Sequence, residues 1–191
     1  MLLISLKDIP KNEQHSHAHK LLRECLKHCN IEYDENIRIN KNDMGKPSLA
    51  DYPDIHYNLS HADGIASCMV AGSECGIDCE KIRPYRPNVI KRSFSEEEKL
   101  ILENTPEDER NAMFFRLWTL KESYVKAIGI GISYPLNKAS FCFEDGTIRT
   151  NIQGYSFRQY IIHEEYVVSV CMRKNEENFC SCHESGQSFA E

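Results

Sequence analysis

Two short stretches of the 191-residue chain hold residue types that can do chemistry together. In GIDCE (Gly76–Glu80), the acids Asp78 and Glu80 stand two apart in a run that reads as a strand, so both carboxylates point to one face. Like charges on one face repel unless a cation lies between them, although on an edge strand both could simply be solvated. In RLWTLKESYVKAIGIG (Arg116–Gly131), Trp118, Glu122 and Lys126 recur every four residues and share one side of a helix. The apolar stripe Met113, Leu117, Leu120, Tyr124 and Ala127 lies on the other side. A solvated Glu–Lys pair accounts for Glu122 and Lys126 but not for the chain's single tryptophan beside them; a second layer or a ligand covering that face does. Asp78, Glu80 and Glu122 together make a hard oxygen set of the kind that holds Mg²⁺, whose shell is completed by water and substrate phosphates. Lys46, His61, Lys121 and Lys126 supply positive charge for a polyanionic phosphate. The chemistry these residues imply is Mg²⁺-dependent phosphoryl transfer.

The elements that must position them are legible in outline. MLLISLKDIP reads as a first strand rather than a leader, since it has no basic start and meets Lys7 and Asp8 almost at once. Leu21, Leu22, Cys25, Leu26 and Cys29 then recur at helical spacing, and the alternating His15, His17 and His19 read as a solvated approach to that helix. KNDMGKPSL is turn chemistry, IHYNLSH a short strand, and GIASCMVAGSECGIDCEKI two strands joined by the loop Ala71–Cys75. Ser95 with Glu98 three residues later is a capping-box pattern. Thr105 and Pro106 fit the N-cap and first position of the next helix, which should run to about Ile128 and stop at Gly129. ISYPLNKASFCFEDGTI, YSFRQYII and EEYVVSVCMR read as three strands of a meander, with Asp145-Gly146 as a hairpin turn. The order suggests two halves of similar design meeting near residues 75–85, in the α+β class. The subdomains expected are 1–75 and 76–172, followed by a polar, mobile tail at 173–191.

Composition limits the alternatives. Hydrophobic content of 41% and charged content of 27% are those of an ordinary globular protein with a real core. A net charge of −6 argues against a nucleic-acid binder, though a local basic pocket for an anion remains compatible with it. No apolar run approaches the ~18 residues of a membrane span, so no membrane is expected. The nine cysteines have no framework spacing and read as reduced thiols of a cytoplasmic protein. Cys180, Cys182 and His183 lack a second ligand pair at zinc spacing.

The motifs GIDCE, FSEEE (Phe94–Glu98) and WTLKESYVKAIGIGI (Trp118–Ile132), with GKP (Gly45–Pro47) and NLSH (Asn58–His61) upstream, resemble in order and spacing the signature of the 4'-phosphopantetheinyl transferases. The length and two-half organisation look like the surfactin-synthetase-activating branch. That resemblance implies two similar subdomains related by pseudo-two-fold symmetry, each a helix on a small, mainly antiparallel sheet, with the active site in the cleft between them, in a monomer. It implies that the phosphopantetheine arm of coenzyme A passes to a serine of an apo acyl or peptidyl carrier protein, releasing adenosine 3',5'-bisphosphate. Carried over by position, Asp78, Glu80 and Glu122 look like ligands of Mg²⁺, or of Mn²⁺ in its place. Glu122 is also the best candidate for the general base, and Lys126 for binding the phosphate and helping the leaving oxygen. Lys46, Ser60, His61, Lys121 and Lys126 resemble the coenzyme A contacts, and Lys20 sits about where the family often has an Arg near the 3'-phosphate. Cys79, between the two acids, stands where an aliphatic residue is usual and reads as a small core residue. Carrier domains of this kind tend to be acidic, and KIRPYRPNVIKR offers Arg83, Arg86, Lys91 and Arg92, with Lys81, as a docking surface. Two other readings use the same residues: a module that binds coenzyme A or a carrier without turnover, and a metal-dependent nuclease or phosphatase.

Overall fold

The computed structural model describes residues 1–174 apart from Asp8 and Glu35. The tail from 175, with Cys180, Cys182 and His183 and the expectation of mobility there, lies outside the described residues. Two three-stranded antiparallel sheets form the frame. The first has the order β1 (Leu2–Leu6), β5 (Ile65–Ala71), β4 (His56–Ala62), and the second β6 (Cys75–Lys81), β10 (Tyr166–Arg173), β9 (Tyr155–Ile162). β2 (Ile39–Lys41) and β3 (Pro47–Leu49) form a separate hairpin.

Each sheet carries a helix on one face. Helix α1 (Gln14–His28) buries Ala18, Leu21, Leu22, Cys25 and Leu26 against Ala66, Cys68 and Val70 of β5. Its remaining apolar-spaced residue, Cys29, is the exposed C-cap. The opposite faces of the two sheets meet in a second core, where Ile65 and Met69 pack with Ile77, Cys79, Val168 and Val170. Period-2 alternation produces this division: along β6, Ile77 and Cys79 enter the core while Asp78 and Glu80 take the other face. Cys79 is a core residue, as its position in the strand suggested.

The second sheet's helix is α4 (Arg110–Ile128), after α2 (Pro87–Ser93) and α3 (Glu96–Asn104). It starts four residues later than the Thr105–Pro106 signal indicated. Thr105 instead closes α3, its hydroxyl donating to Ile101 O at 2.7 Å. This local back-bond to the carbonyl four residues earlier competes successfully with the N-cap preference. At the other end Gly129 stops the helix in the left-handed conformation, φ 69°. The expected meander is different as well. Asp145-Gly146 turns a free-standing hairpin, β7 (Phe141–Glu144) with β8 (Thr147–Thr150), while only β9 and β10 join β6. Phe141 and Phe143 of β7 pack into the core of Phe94, Leu117 and Leu120, so burial over α3 and α4 outweighs addition to the sheet edge.

Helix α4 is covered on more than one side. Thr119 faces the sheet, its hydroxyl 2.7 Å from that of Ser169, while Leu117 and Leu120 pack on the aromatic core. Trp118 stacks on Phe114, which stacks on Tyr85 of the loop after β6, with interplanar angles of 8° and 10°. The loop after β6 is thus a second layer, and it explains the indole on the polar side of the helix. Among the described residues no helix is long and apolar enough to cross a membrane.

Candidate active site

The site is built where β6 is held from both sides. Its open edge faces β4, but no backbone ladder joins the two. Asn58 Oδ1 accepts from Ile77 N at 2.9 Å, and Ser60 Oγ accepts from Cys79 N at 3.1 Å. Two β4 side chains thus satisfy the buried donors that an edge strand would leave open. Over the Asp78 face lies α4, brought close by Gly76. A Cβ there would stand 2.1 Å from Ser123 O and 2.4 Å from Ala127 N, so only glycine lets the helix backbone rest on the strand. That contact sets Glu122 and Lys126 opposite Asp78.

Lys126 Nζ lies 2.7 Å from Asp78 Oδ1 and donates to Ser60 Oγ at 3.0 Å. Ser60 in turn donates to Asp78 Oδ1 at 3.1 Å. Asp78 is nearly buried, with its side chain 8% exposed, and its second oxygen, Oδ2, has no hydrogen-bond partner. Burial works against the Lys126 charge, yet the bonded Asp78 carboxylate and nearby Glu122 hold its pKa above the ordinary lysine value. Glu122 is half-buried; desolvation, then the Asp78 charge, push its carboxyl up to about 7, with Glu80 adding and Lys126 opposing. Burial likewise raises Glu80, which is held by Arg83 Nη1 at 2.7 Å. Asp78, Glu122, Lys126, Ser60 and Glu80 therefore share one electrostatic neighbourhood. As they stand, no three carboxylate, histidine or cysteine side chains among the described residues converge at metal-binding distance.

The other expected contacts separate from this group. Lys121 is the clear correction. It is fully buried, its Nζ paired with Glu98 Oε2 at 2.6 Å and bonded to Leu136 O at 2.9 Å and to Ala139 O. It has no free donor to offer coenzyme A, because a residue next to Glu122 on a helix points about 100° away from it. Lys46 Nζ is tied to Cys75 O at 3.3 Å and to Ala127 O, clamping the β2–β3 hairpin to the end of α4 instead of facing the carboxylates. His61 is exposed, its ring centroid 6.3 Å from that of His15, and burial, His15 and the charge of Lys126 lower its pKa. Lys20 is exposed on α1 and lines a shallow cleft of about 350 Å³ with Lys7, Glu13 and His17. Arg83 stands over Phe115, while Arg86, Lys91 and Arg92 are exposed at the two ends of α2.

Two parts of the arrangement had no separate sequence reading. By spacing Glu98 belongs only to the Ser95 capping box, which it does close, yet it also accepts Phe141 N and pairs with Lys121. The signal was present, since Glu98 and Lys121 belong to the two motifs FSEEE and WTLKE. The Arg83–Glu80 pair, which joins a residue of β6 to the loop after it, left no periodic trace.

Comparison with known proteins identifies the family of the chain. The family model for the 4'-phosphopantetheinyl transferase superfamily matches residues 74–171, just over half of the chain. Relatives include a 4'-phosphopantetheinyl transferase gsp of Aneurinibacillus migulanus, 35% identical over 72% of this chain and 59% of that protein. The 4'-phosphopantetheinyl transferase Sfp of Bacillus subtilis is 34% identical over 71% of this chain and 62% of its own length. The matched stretch thus spans about three fifths of these curated relatives. A crystal structure of a holo-(acyl-carrier-protein) synthase from Bacillus anthracis in complex with CoA superposes with a TM-score of 0.46 and 20% identity, over 54% of this chain and 97% of that one.

Proposed function

Because the chain belongs to the 4'-phosphopantetheinyl transferase superfamily, we propose that it moves the phosphopantetheine arm of coenzyme A to a serine hydroxyl of an apo acyl or peptidyl carrier protein, with adenosine 3',5'-bisphosphate as leaving group. The observation that carries this reading is the group on β6 and α4: a carboxyl raised to about 7, a charged lysine and a buried carboxylate with one unpartnered oxygen. The donor chemistry fits a hard divalent cation, Mg²⁺ or Mn²⁺, which Asp78, Glu80 and Glu122 would hold; Asp78 Oδ2 is the atom that lacks a partner without it. Such an ion, when bound, supplies charge neutralisation at the pyrophosphate.

The chain's own residues do the rest. Glu122, when not engaged as a ligand, has a pKa near that needed to take the serine proton at neutral pH, directly or through a water. Lys126, held charged by Asp78, places an ammonium where negative charge grows on the departing phosphate oxygen. Ser60 fixes both partners, donating to Asp78 and accepting from Lys126. His61 and Lys20 belong to the coenzyme A side of the cleft in this reading, and Arg83, Arg86, Lys91 and Arg92 to the carrier side. The working unit is a monomer of subdomains 1–75 and 76–172 in the cytoplasm.

Intact mass of an apo carrier protein after incubation with this protein, coenzyme A and Mg²⁺ tests the proposal. A gain of one phosphopantetheine, abolished by EDTA, is expected. Coenzyme A binding with no gain across acyl and peptidyl carriers would leave a binding module, and coenzyme A hydrolysis without a carrier would favour a phosphatase.

A further inference from the structure

Glu80 and Asp78 leave the same strand face, yet their cations come from different places. Asp78 is answered from inside, by Lys126. Glu80 is answered from outside, by Arg83, whose side chain is 53% exposed against 21% for Glu80. Arg83 spends one more bond on Lys81 O, at 2.8 Å, and lies 4.8 Å over the Phe115 ring. A guanidinium has five N–H donors in a rigid fork. Only Nη1 is engaged, so the rest of the fork remains on the half-exposed side, at the start of the basic segment that runs to Arg92.

Charge balance makes this pair conditional. In the described state, Lys126 and Arg83 offset two of the three carboxylates Asp78, Glu80 and Glu122. Once a divalent cation joins Lys126 beside Asp78, the three carboxylates are neutralised without Arg83. The arginine is then surplus positive charge beside a cation, and Glu80 needs its oxygen for ligation.

We infer that Arg83 is a built-in counter-ion, holding Glu80 until a divalent cation binds and then turning outward to pair with a carboxylate on the acidic carrier surface. This rests on the transferase reading above and adds to it a link between carrier docking and metal binding. The link is reciprocal: a carrier that captures Arg83 tightens the metal, and the metal tightens the carrier. A bidentate guanidinium–carboxylate contact suits the exchange, because the fork already presented to Glu80 can be presented to the partner.

The test is Mn²⁺ affinity, read by electron paramagnetic resonance of the free ion, in the full chain and without coenzyme A. Arg83→Gln should bind Mn²⁺ roughly three- to tenfold more tightly than wild type. A carrier protein whose acceptor serine is replaced by alanine should tighten Mn²⁺ in the wild type and leave Arg83→Gln unchanged. Glu80→Gln should weaken Mn²⁺ in both backgrounds. Equal or weaker binding by Arg83→Gln would overturn the inference and make the pair a support for Glu80. Normal Mn²⁺ binding by Glu80→Gln would overturn it too, by removing Glu80 from the ligand set. The transferase reading is judged separately by the carrier-mass assay on the wild type. Transfer without the Arg83 effect sinks only this inference, and the Arg83 effect without transfer sinks only that reading.

Discussion

Helix α4 carries two lysine–carboxylate pairs five residues apart, and they have opposite characters. Lys121 and Glu98 are 0% exposed, and every polar atom is spoken for: Glu98 closes the Ser95 cap and accepts Phe141 N, while Lys121 reaches two carbonyls. Burial pushes the Glu98 carboxyl up and the Lys121 ammonium down, and their mutual attraction opposes both shifts. Lys126 and Asp78 are left incomplete: Lys126 is 29% exposed, Asp78 Oδ2 is unpartnered, and a second carboxyl, Glu122, is driven up to about 7 by burial and then by the Asp78 charge. The closed pair fastens α3, α4 and β7 together. The open pair stores unmet electrostatic demand where a ligand can answer it, which is what separates a structural ion pair from a candidate active site.

Breaking each pair should give different failures. The largest effect belongs to the open one: Glu122→Gln should cut the turnover number for carrier modification by about 10²–10⁴-fold while thermal unfolding shows an intact fold. A drop of a few fold would remove Glu122 as the base. The closed pair should fail in stability. Lys121→Met strands Glu98 and should cost about 3–5 kcal/mol in urea unfolding, most of it returned by the double variant Lys121→Met/Glu98→Leu. If Lys121→Met instead raised KM for coenzyme A with unchanged stability, the closed character of that pair would be wrong.

pH sharpens the contrast. The Glu122 carboxyl rises from an ordinary 4.5 to about 7 on folding, beside Asp78, Glu80 and Lys126. Folding therefore takes up a proton between those values. The wild type should be most stable near pH 4.5 with respect to this group and lose about 1–3 kcal/mol as pH rises to about 7. Urea midpoints across that range should show the slope in the wild type and a flatter profile in Glu122→Gln. The smallest effect is expected for Ser60→Ala, which strands Cys79 N and should cost about 1–2 kcal/mol. An unchanged midpoint with a raised KM for coenzyme A would mean that Ser60 serves the ligand more than it serves Asp78.

Much of the site could be read from order and spacing. The alternation in GIDCE fixed which acids share a face, and the four-residue repeat of Trp118, Glu122 and Lys126 fixed a helix side distinct from the core stripe. Those are local periodicities, set by strand and helix geometry alone. Gly129 as the helix stop and Ser95–Glu98 as a cap were legible for the same reason.

Tertiary packing decided the rest. Only the close approach of α4 to β6 over Gly76 brings Glu122 and Lys126 to Asp78. Helix spacing turns Lys121 about 100° away from Glu122, but only the tertiary fold supplies Glu98 to seal it and leaves Lys126 partly exposed beside Asp78. Lys46 was drawn to the carbonyl end of α4, and the β7–β8 hairpin to the aromatic core. Each of these outcomes depends on partners distant in sequence competing for the same donor or the same buried surface. Such competition is settled by the free energy of the whole fold, whereas the motifs themselves follow from backbone periodicity.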